Sequence, residues 1–203
     1  MTATIKRLLE RTKGDVAAAA ELFGESTVLL TVPHAYSLEA REHDRDFAAV
    51  DAARVLEGAI PGSLVHLGDL DRHREADLNR ETTELSEDWH WLVRTWIALH
   101  PRGRLVDVHS FPKGFNWNNK TTTLTSPTRA ADPVVVLLPV ANREFALSVA
   151  RGITDSVYQG TRENALINMG CKKSVLLEFE EGDARALEYW AGVVARRIVL
   201  LGG

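Results

Sequence analysis

Apolar runs and helix-forming stretches alternate along the chain. Five runs rich in Val, Leu and Ile predict buried strands, and they cover residues 26–34, 62–68, 103–111, 132–140 and 174–180. Four intervening stretches, Ala-rich or with apolar residues at helical spacing, predict helices, and they cover residues 46–58, 87–101, 142–153 and 182–201. Strands that are apolar throughout and alternate with helices are typical of a sheet covered on both faces. We therefore predict an α/β fold with a mostly parallel or mixed central sheet and helices on both of its faces.

The length allows one sizeable domain or two small ones, and the composition is that of a globular protein. The chain has 203 residues, of which 45% are hydrophobic, a share typical of soluble proteins with a packed core. We find no internal repeat and no low-complexity block. We expect a single domain over residues 1–203, in which residues 1–25 form a helical N-terminal extension packed on the rest.

Charge and cysteine content narrow the functional classes. The formal net charge of −4 offers no general attraction for nucleic acid or for an anionic membrane. Cys171 is the single cysteine, which excludes an intramolecular disulfide and a thiolate metal cluster. Residues 1–15 lack the apolar segment of a signal peptide, and no apolar run approaches the about 18 residues of a membrane span. We expect a cytoplasmic protein that binds neither nucleic acid nor membrane; the sequence does not indicate its oligomeric state.

Ionisable residues lie at the ends of three predicted strands. The first strand ends at His34, the third runs into His109, and the fifth carries Glu178. In α/β sheets, ligands bind at the carboxyl ends of parallel strands, so we expect these side chains to meet. Asp107 and His109 are two residues apart in a strand and share one face, which allows the carboxylate to orient the imidazole. A buried polar pair without a ligand is the alternative, and the convergence of three strand ends favours a site.

Two histidines beside a carboxylate are typical of a metal site. A catalytic zinc takes three ligands from His, Asp or Glu and leaves one position open for water. His34 and His109 supply two, and the third should be a carboxylate on the segment after His34. The spacing leaves four candidates open: Glu39, Glu42, Asp44 and Asp46. Asp46 also has a structural explanation, because a carboxylate is favoured at the start of a helix.

Six short motifs occur in a characteristic order along residues 27–200. They are "VPHAYS", "DFAAVDAARVL", "ADLNR", "LVDVHSF", "VYQGTREN" and "VLLEFEE". Together they resemble the N-formylglutamate amidohydrolase family, whose members are related to the zinc carboxypeptidases and aspartoacylases. The resemblance implies a zinc-carboxypeptidase-like fold and a bound Zn²⁺. It also implies that Asp46 is the third ligand beside His34 and His109, and that Glu178 moves a proton from water to the leaving nitrogen.

The same resemblance implies a small-molecule substrate with a carboxylate. Asn79 and Arg80 would hold that group, and a guanidinium is well suited to bidentate carboxylate binding. Tyr158 and Arg162 lie in a predicted loop before the last strand and could form a wall of the pocket. Asp77 is expected to give local support, as an Asx-turn or as a partner of an arginine. The Asn- and Thr-rich stretch 113–132 follows the third strand and is predicted as a loop on the substrate side.

The predicted function is zinc-dependent cleavage of the amide bond of an N-acyl amino acid such as N-formylglutamate. The alternative within enzymes is a zinc peptidase or amidase acting on a peptide, a peptidoglycan fragment or another N-acyl amino acid. A non-catalytic relative that only binds a ligand is disfavoured by the set His34, His109 and Glu178. A DNA-binding regulator is suggested by residues 10–26, which resemble the start of a helix-turn-helix. A strand-forming run follows where a recognition helix is needed, which argues against it.

Overall fold

A computed structural model describes residues 2–12, 14–36, 46–72, 74–80, 83–115, 132–161 and 164–202. Within these ranges seven strands form one sheet. The strands are β1 (Thr2–Thr4), β2 (Val28–Val32), β3 (Ser63–Leu67), β4 (Arg104–Phe111), β5 (Val134–Leu138), β6 (Val157–Gln159) and β7 (Ser174–Glu180). The helices are α1 (Ile5–Thr12), α2 (Val16–Phe23), α3 (Ala49–Ala59), α4 (Glu84–Leu99), α5 (Glu144–Ala150) and α6 (Ala184–Leu200), and a 3₁₀ turn covers Leu166–Asn168.

The sheet is mixed, with the strand order β1-β3-β2-β4-β7-β5-β6. Neighbouring strands are parallel except for β5 and β7, which run antiparallel. This confirms the predicted α/β fold with a mixed central sheet. The three strands predicted to end in ionisable residues, β2, β4 and β7, are adjacent and parallel. Their carboxyl ends therefore meet at one edge of the sheet.

Helices cover both faces of the sheet. On one face, Leu30, Val106 and Leu177 pack in a cluster with apolar residues of α3, α5 and α6. On the other face, Leu29 and Leu105 pack with residues of α1, α2 and α4. Because the central strands are enclosed on both sides, their polar side chains can be reached only at the strand ends. No helix in the described ranges is long and apolar enough to cross a membrane.

The N-terminal segment is more than a pair of helices. Residues Thr2–Thr4 add strand β1 to the edge of the sheet, parallel to β3, a strand too short to predict. Leu8 of α1 and Phe23 of α2 are buried in the cluster that includes α4. The element after α2 is the buried strand β2 and not a recognition helix, as the apolar run predicted.

Two local predictions need correction. The helix predicted over residues 46–58 begins three residues later, because α3 covers Ala49–Ala59. Tyr158 does not lie in a loop: it belongs to β6, is 1% exposed and packs in a cluster with Phe111 and Ile167. Its ring is part of this core cluster, and its contact with substrate stays a prediction. Arg162, predicted beside it, lies outside the described residues.

Candidate metal centre

His34, His109 and Glu178 come together at the carboxyl ends of β2, β4 and β7. His109 and Glu178 are register partners on the parallel strands β4 and β7, so their side chains point to the same face. His34 follows β2 at a point where the chain after β3 passes closely. A Cβ on Gly68 would overlap the carbonyl oxygen of Pro33, and only glycine permits this approach.

Asp46 joins the histidines from the segment that leads into α3. Its backbone N–H donates to the carbonyl of His34 at 3.0 Å. Asp46 Oδ2 lies 2.7 Å from His109 Nδ1 and 3.6 Å from His34 Nδ1. One ligand atom from each of these three buried residues lies within 4.8 Å of the others. The other candidate carboxylates lie outside the described residues: Glu39, Glu42 and Asp44.

A second carboxylate holds each imidazole by its other nitrogen. His109 Nε2 lies 3.1 Å from Asp107 Oδ2, which is the contact predicted from their spacing. His34 Nε2 lies 3.1 Å from Asp77 Oδ1. Asp107 is fully buried and accepts a hydrogen bond of 2.6 Å from Thr31 Oγ1. Carboxylates placed in this way fix the tautomer and ring orientation of metal-binding histidines, and both histidines here have one.

Arg72 shows which nitrogen of His34 faces the centre. Its Nη1 lies 3.3 Å from His34 Nδ1. His34 Nδ1 therefore lies near both Arg72 and Asp46, whose Oδ2 is 3.6 Å away, and it is the ring nitrogen on the side of the centre. Arg72 was not among the predicted site residues, because its loop has no periodicity that marks it.

The charges of the centre are strongly coupled. Burial alone would lower the pKa of His109, but Asp107 and Asp46 outweigh it and hold the pKa well above its ordinary value. Burial opposes ionisation of Asp46, yet its interactions with His109 and His34 bring the pKa of its carboxyl far below the usual range. Burial also raises the pKa of Glu178 to about 8. The nearby His109 lowers this pKa, and the negative charge of Asp46 raises it. Without metal, the centre therefore holds an imidazolium between two carboxylates.

The loop between β3 and α4 carries the predicted substrate residues. Asp77 Oδ1 accepts the backbone N–H of Asn79 at 3.0 Å, the predicted Asx-turn, and Asp77 Oδ2 lies 3.5 Å from Arg80 Nε. Since Asp77 also contacts His34, this one carboxylate links Arg80 to the centre. Asn79 is buried, and its Oδ1 has no hydrogen-bond partner in the described part of the chain. The side chain of Arg80 is half-exposed.

Comparison with known proteins leaves the activity open. No protein-family model and no curated protein matches the chain. A similar solved structure is that of the CwlD amidase from Clostridioides difficile in complex with the GerS lipoprotein. The identity is 14%, the TM-score is 0.43, and the alignment covers 86% of this chain and 95% of that one. At this level of similarity the function has to be derived from the site, and the resemblance to N-formylglutamate amidohydrolases stays a prediction.

Proposed function

We propose that the protein is a zinc-dependent hydrolase that cleaves the amide bond of an N-acyl amino acid. The observation that carries this proposal is the pair of carboxylate-supported histidines that both present Nδ1 to Asp46 Oδ2, beside Glu178. Two imidazole nitrogens and one carboxylate oxygen form a ligand set that suits a catalytic zinc. These atoms lie within 4.8 Å of one another, a spacing at which they can share one ion.

Bound through His34, Asp46 and His109, Zn²⁺ would supply Lewis acidity that activates a water molecule and polarises the scissile carbonyl. Glu178 is the base that the fold offers beside this group. Its carboxylate accepts a proton from the attacking water and returns it to the leaving nitrogen. The pKa of about 8 in the metal-free protein results from burial, and a neighbouring cation favours the ionised form. Glu178 can therefore act as a base near neutral pH.

The substrate side has donors for an anion and an acceptor for an N–H group. Arg80 offers guanidinium donors to a carboxylate. The buried Asn79 Oδ1 lacks a donor within the described ranges, and leaving it unpaired is costly. An N-acyl amino acid carries an amide N–H next to its α-carboxylate and can satisfy both residues. Arg72, beside His34, is placed to donate to the oxygen of the scissile carbonyl, where negative charge develops.

The test compares metal-stripped and zinc-reconstituted protein on small N-acyl amino acids, with N-formylglutamate first. We expect hydrolysis only with zinc, and much less for the same compounds after their α-carboxylate is converted to an amide. A zinc-loaded protein that cleaves none of these compounds contradicts the proposal. Cleavage of a peptide or a peptidoglycan fragment regardless of an adjacent carboxylate would favour the other class of zinc amidase.

A further inference from the structure

We infer that Ser110 and Glu181 are positioning residues for Asp46, because they hold the start of α3 and thereby place the third ligand of the centre. The inference rests on the proposed function in one respect, namely that Asp46 binds the metal. Among the described contacts, neither side chain is hydrogen-bonded to a ligand atom of His34, Asp46 or His109. They act through the backbone of the two residues that follow Asp46.

The helix α3 begins without a cap of its own. Its N-cap residue is Ala48, which makes no side-chain capping hydrogen bond. The first N–H groups of a helix have no acceptor within the helix and need one from elsewhere. Here Phe47 N–H donates to Glu181 Oε1 at 3.0 Å, and Ala48 N–H donates to Ser110 Oγ at 3.2 Å. Ala48 is the N-cap residue and Phe47 precedes it, so two other segments of the chain hold the residues that lead into α3.

These acceptors form one network at the ends of the site strands. The hydroxyl of Ser110, on β4 next to His109, donates to Glu181 Oε1 at 2.7 Å. Glu181 follows β7, and its N–H donates to the carbonyl of Phe111 at 2.9 Å. The sheet edge that carries His109 and Glu178 therefore also binds the start of α3 by hydrogen bonds.

Asp46 is the first of three consecutive residues whose backbone N–H groups are held by other segments of the chain. Its own N–H is held by the His34 carbonyl, and the next two N–H groups are held by Glu181 and Ser110. Only the two side-chain torsions of Asp46 remain to decide where its carboxylate lies. A displaced helix start would carry Oδ2 away from both histidines.

Other carboxyl groups compete with Asp46 for the two histidines. Three of them lie beside the imidazoles: Asp77, Asp107 and Glu178. Glu181 adds negative charge, since it raises the pKa of Glu178. The negative charge of Glu181 is thus unfavourable beside Glu178. We infer that the site requires Glu181 for its oxygen, which accepts the N–H of Phe47.

The experiment measures two properties of folded, metal-free protein. One is the zinc dissociation constant by competition with a chromophoric chelator, and the other is hydrogen–deuterium exchange of a peptide that covers residues 46–50. We expect Glu181→Ala and Ser110→Ala to weaken zinc binding by about 10- to 100-fold and to speed exchange in this peptide. Glu181→Gln keeps the oxygen acceptor and should restore both properties. Glu180→Ala is the matched control, because that carboxylate instead accepts the N–H of Gly114.

The outcomes separate this inference from the proposed function. Unchanged zinc affinity in Glu181→Ala and Ser110→Ala overturns the positioning role, as does a Glu181→Gln protein that binds zinc as weakly as Glu181→Ala. If the unaltered protein binds no zinc, the proposed function fails; faster exchange in Glu181→Ala would then still support the hold on α3. If Glu181→Ala does not fold, Ser110→Ala decides by the same two measurements.

Discussion

Zinc binding should release protons, because the metal has to replace a proton that the centre holds. The pKa of His109 lies well above its ordinary value, since Asp107 and Asp46 outweigh the effect of burial. At pH 7 the metal-free imidazole is therefore charged, and a metal ligand must be neutral. Asp46 is already ionised, because its pKa is lowered, and releases none. Zinc affinity therefore rises with pH, until the pH exceeds the pKa that His109 has in the metal-free protein.

The size of the effect distinguishes this centre from ordinary histidines. A histidine with the reference pKa of about 6.5 would release only about a quarter of a proton at pH 7. His109 should release about one. Glu178, with a pKa of about 8, is largely protonated at pH 7 and should release up to one more when a cation lies beside it. Each released proton makes the affinity change about tenfold per pH unit.

Isothermal titration calorimetry with zinc, in two buffers of different ionisation enthalpy, counts the released protons. At pH 7 we expect between about one and two for the unaltered protein and about one for Glu178→Gln. Asp107→Asn removes the strongest interaction that raises the pKa of His109. This variant should therefore also release fewer protons per bound zinc than the unaltered protein. A release of about a quarter of a proton or less in the unaltered protein would refute the charged state assigned to His109.

Further predictions concern the ligand, the base, the substrate and the core. His109→Ala should lose most of the bound zinc in metal analysis, because an open three-ligand site has no spare donor. Glu178→Gln should keep zinc and substrate binding and lose about 10²–10⁴-fold in kcat, whereas Glu180→Gln should stay near normal. Arg80→Ala should raise KM for carboxylate substrates and leave slow turnover of their amides unchanged; an equal effect on both would exclude the carboxylate clamp. Leu30→Ala, at a fully buried position, should lower the free energy of unfolding in urea by about 2–5 kcal/mol.

Sequence patterns predicted the strands that are buried on both faces. The apolar runs of β2, β4, β5 and β7 stand out because these strands are buried along most of their length, and the predicted 174–180 matches the bounds of β7. The run of β3 was also predicted, although three of its five residues are only partly buried. Strands β1 and β6 have three residues each, too few to show a period. The antiparallel direction of β5 depends on its partner β7 and has no local signature. Tyr158 was misassigned for the same reason, since its short strand resembled part of a loop.

The site was predictable where strand ends define it. His34, His109 and Glu178 stand out because ionisable residues interrupt or follow apolar strands. Asp46 could be selected among its neighbours only by resemblance, since four carboxylates share its segment. The contact between Asp77 and His34 joins residues 43 positions apart, and no periodicity connects a loop to a strand end. The sequence predicted only the Asx-turn of Asp77 with Asn79, which is present. The same carboxylate has a second role beside His34 that the sequence pattern did not indicate.

If Arg80 binds the substrate and His34 the metal as proposed, Asp77 makes the occupancy of the two halves of the site interdependent. Its carboxylate faces His34 Nε2 with one oxygen and Arg80 Nε with the other. A substrate carboxylate that draws Arg80 away would leave Asp77 a stronger acceptor for His34 and make the imidazole a better electron donor. Substrate would then tighten metal binding, and thermodynamic reciprocity requires the metal to tighten substrate binding by the same factor. Asp77→Asn should reduce that factor towards one, in which case the proposed substrate loop would also determine how firmly zinc is held.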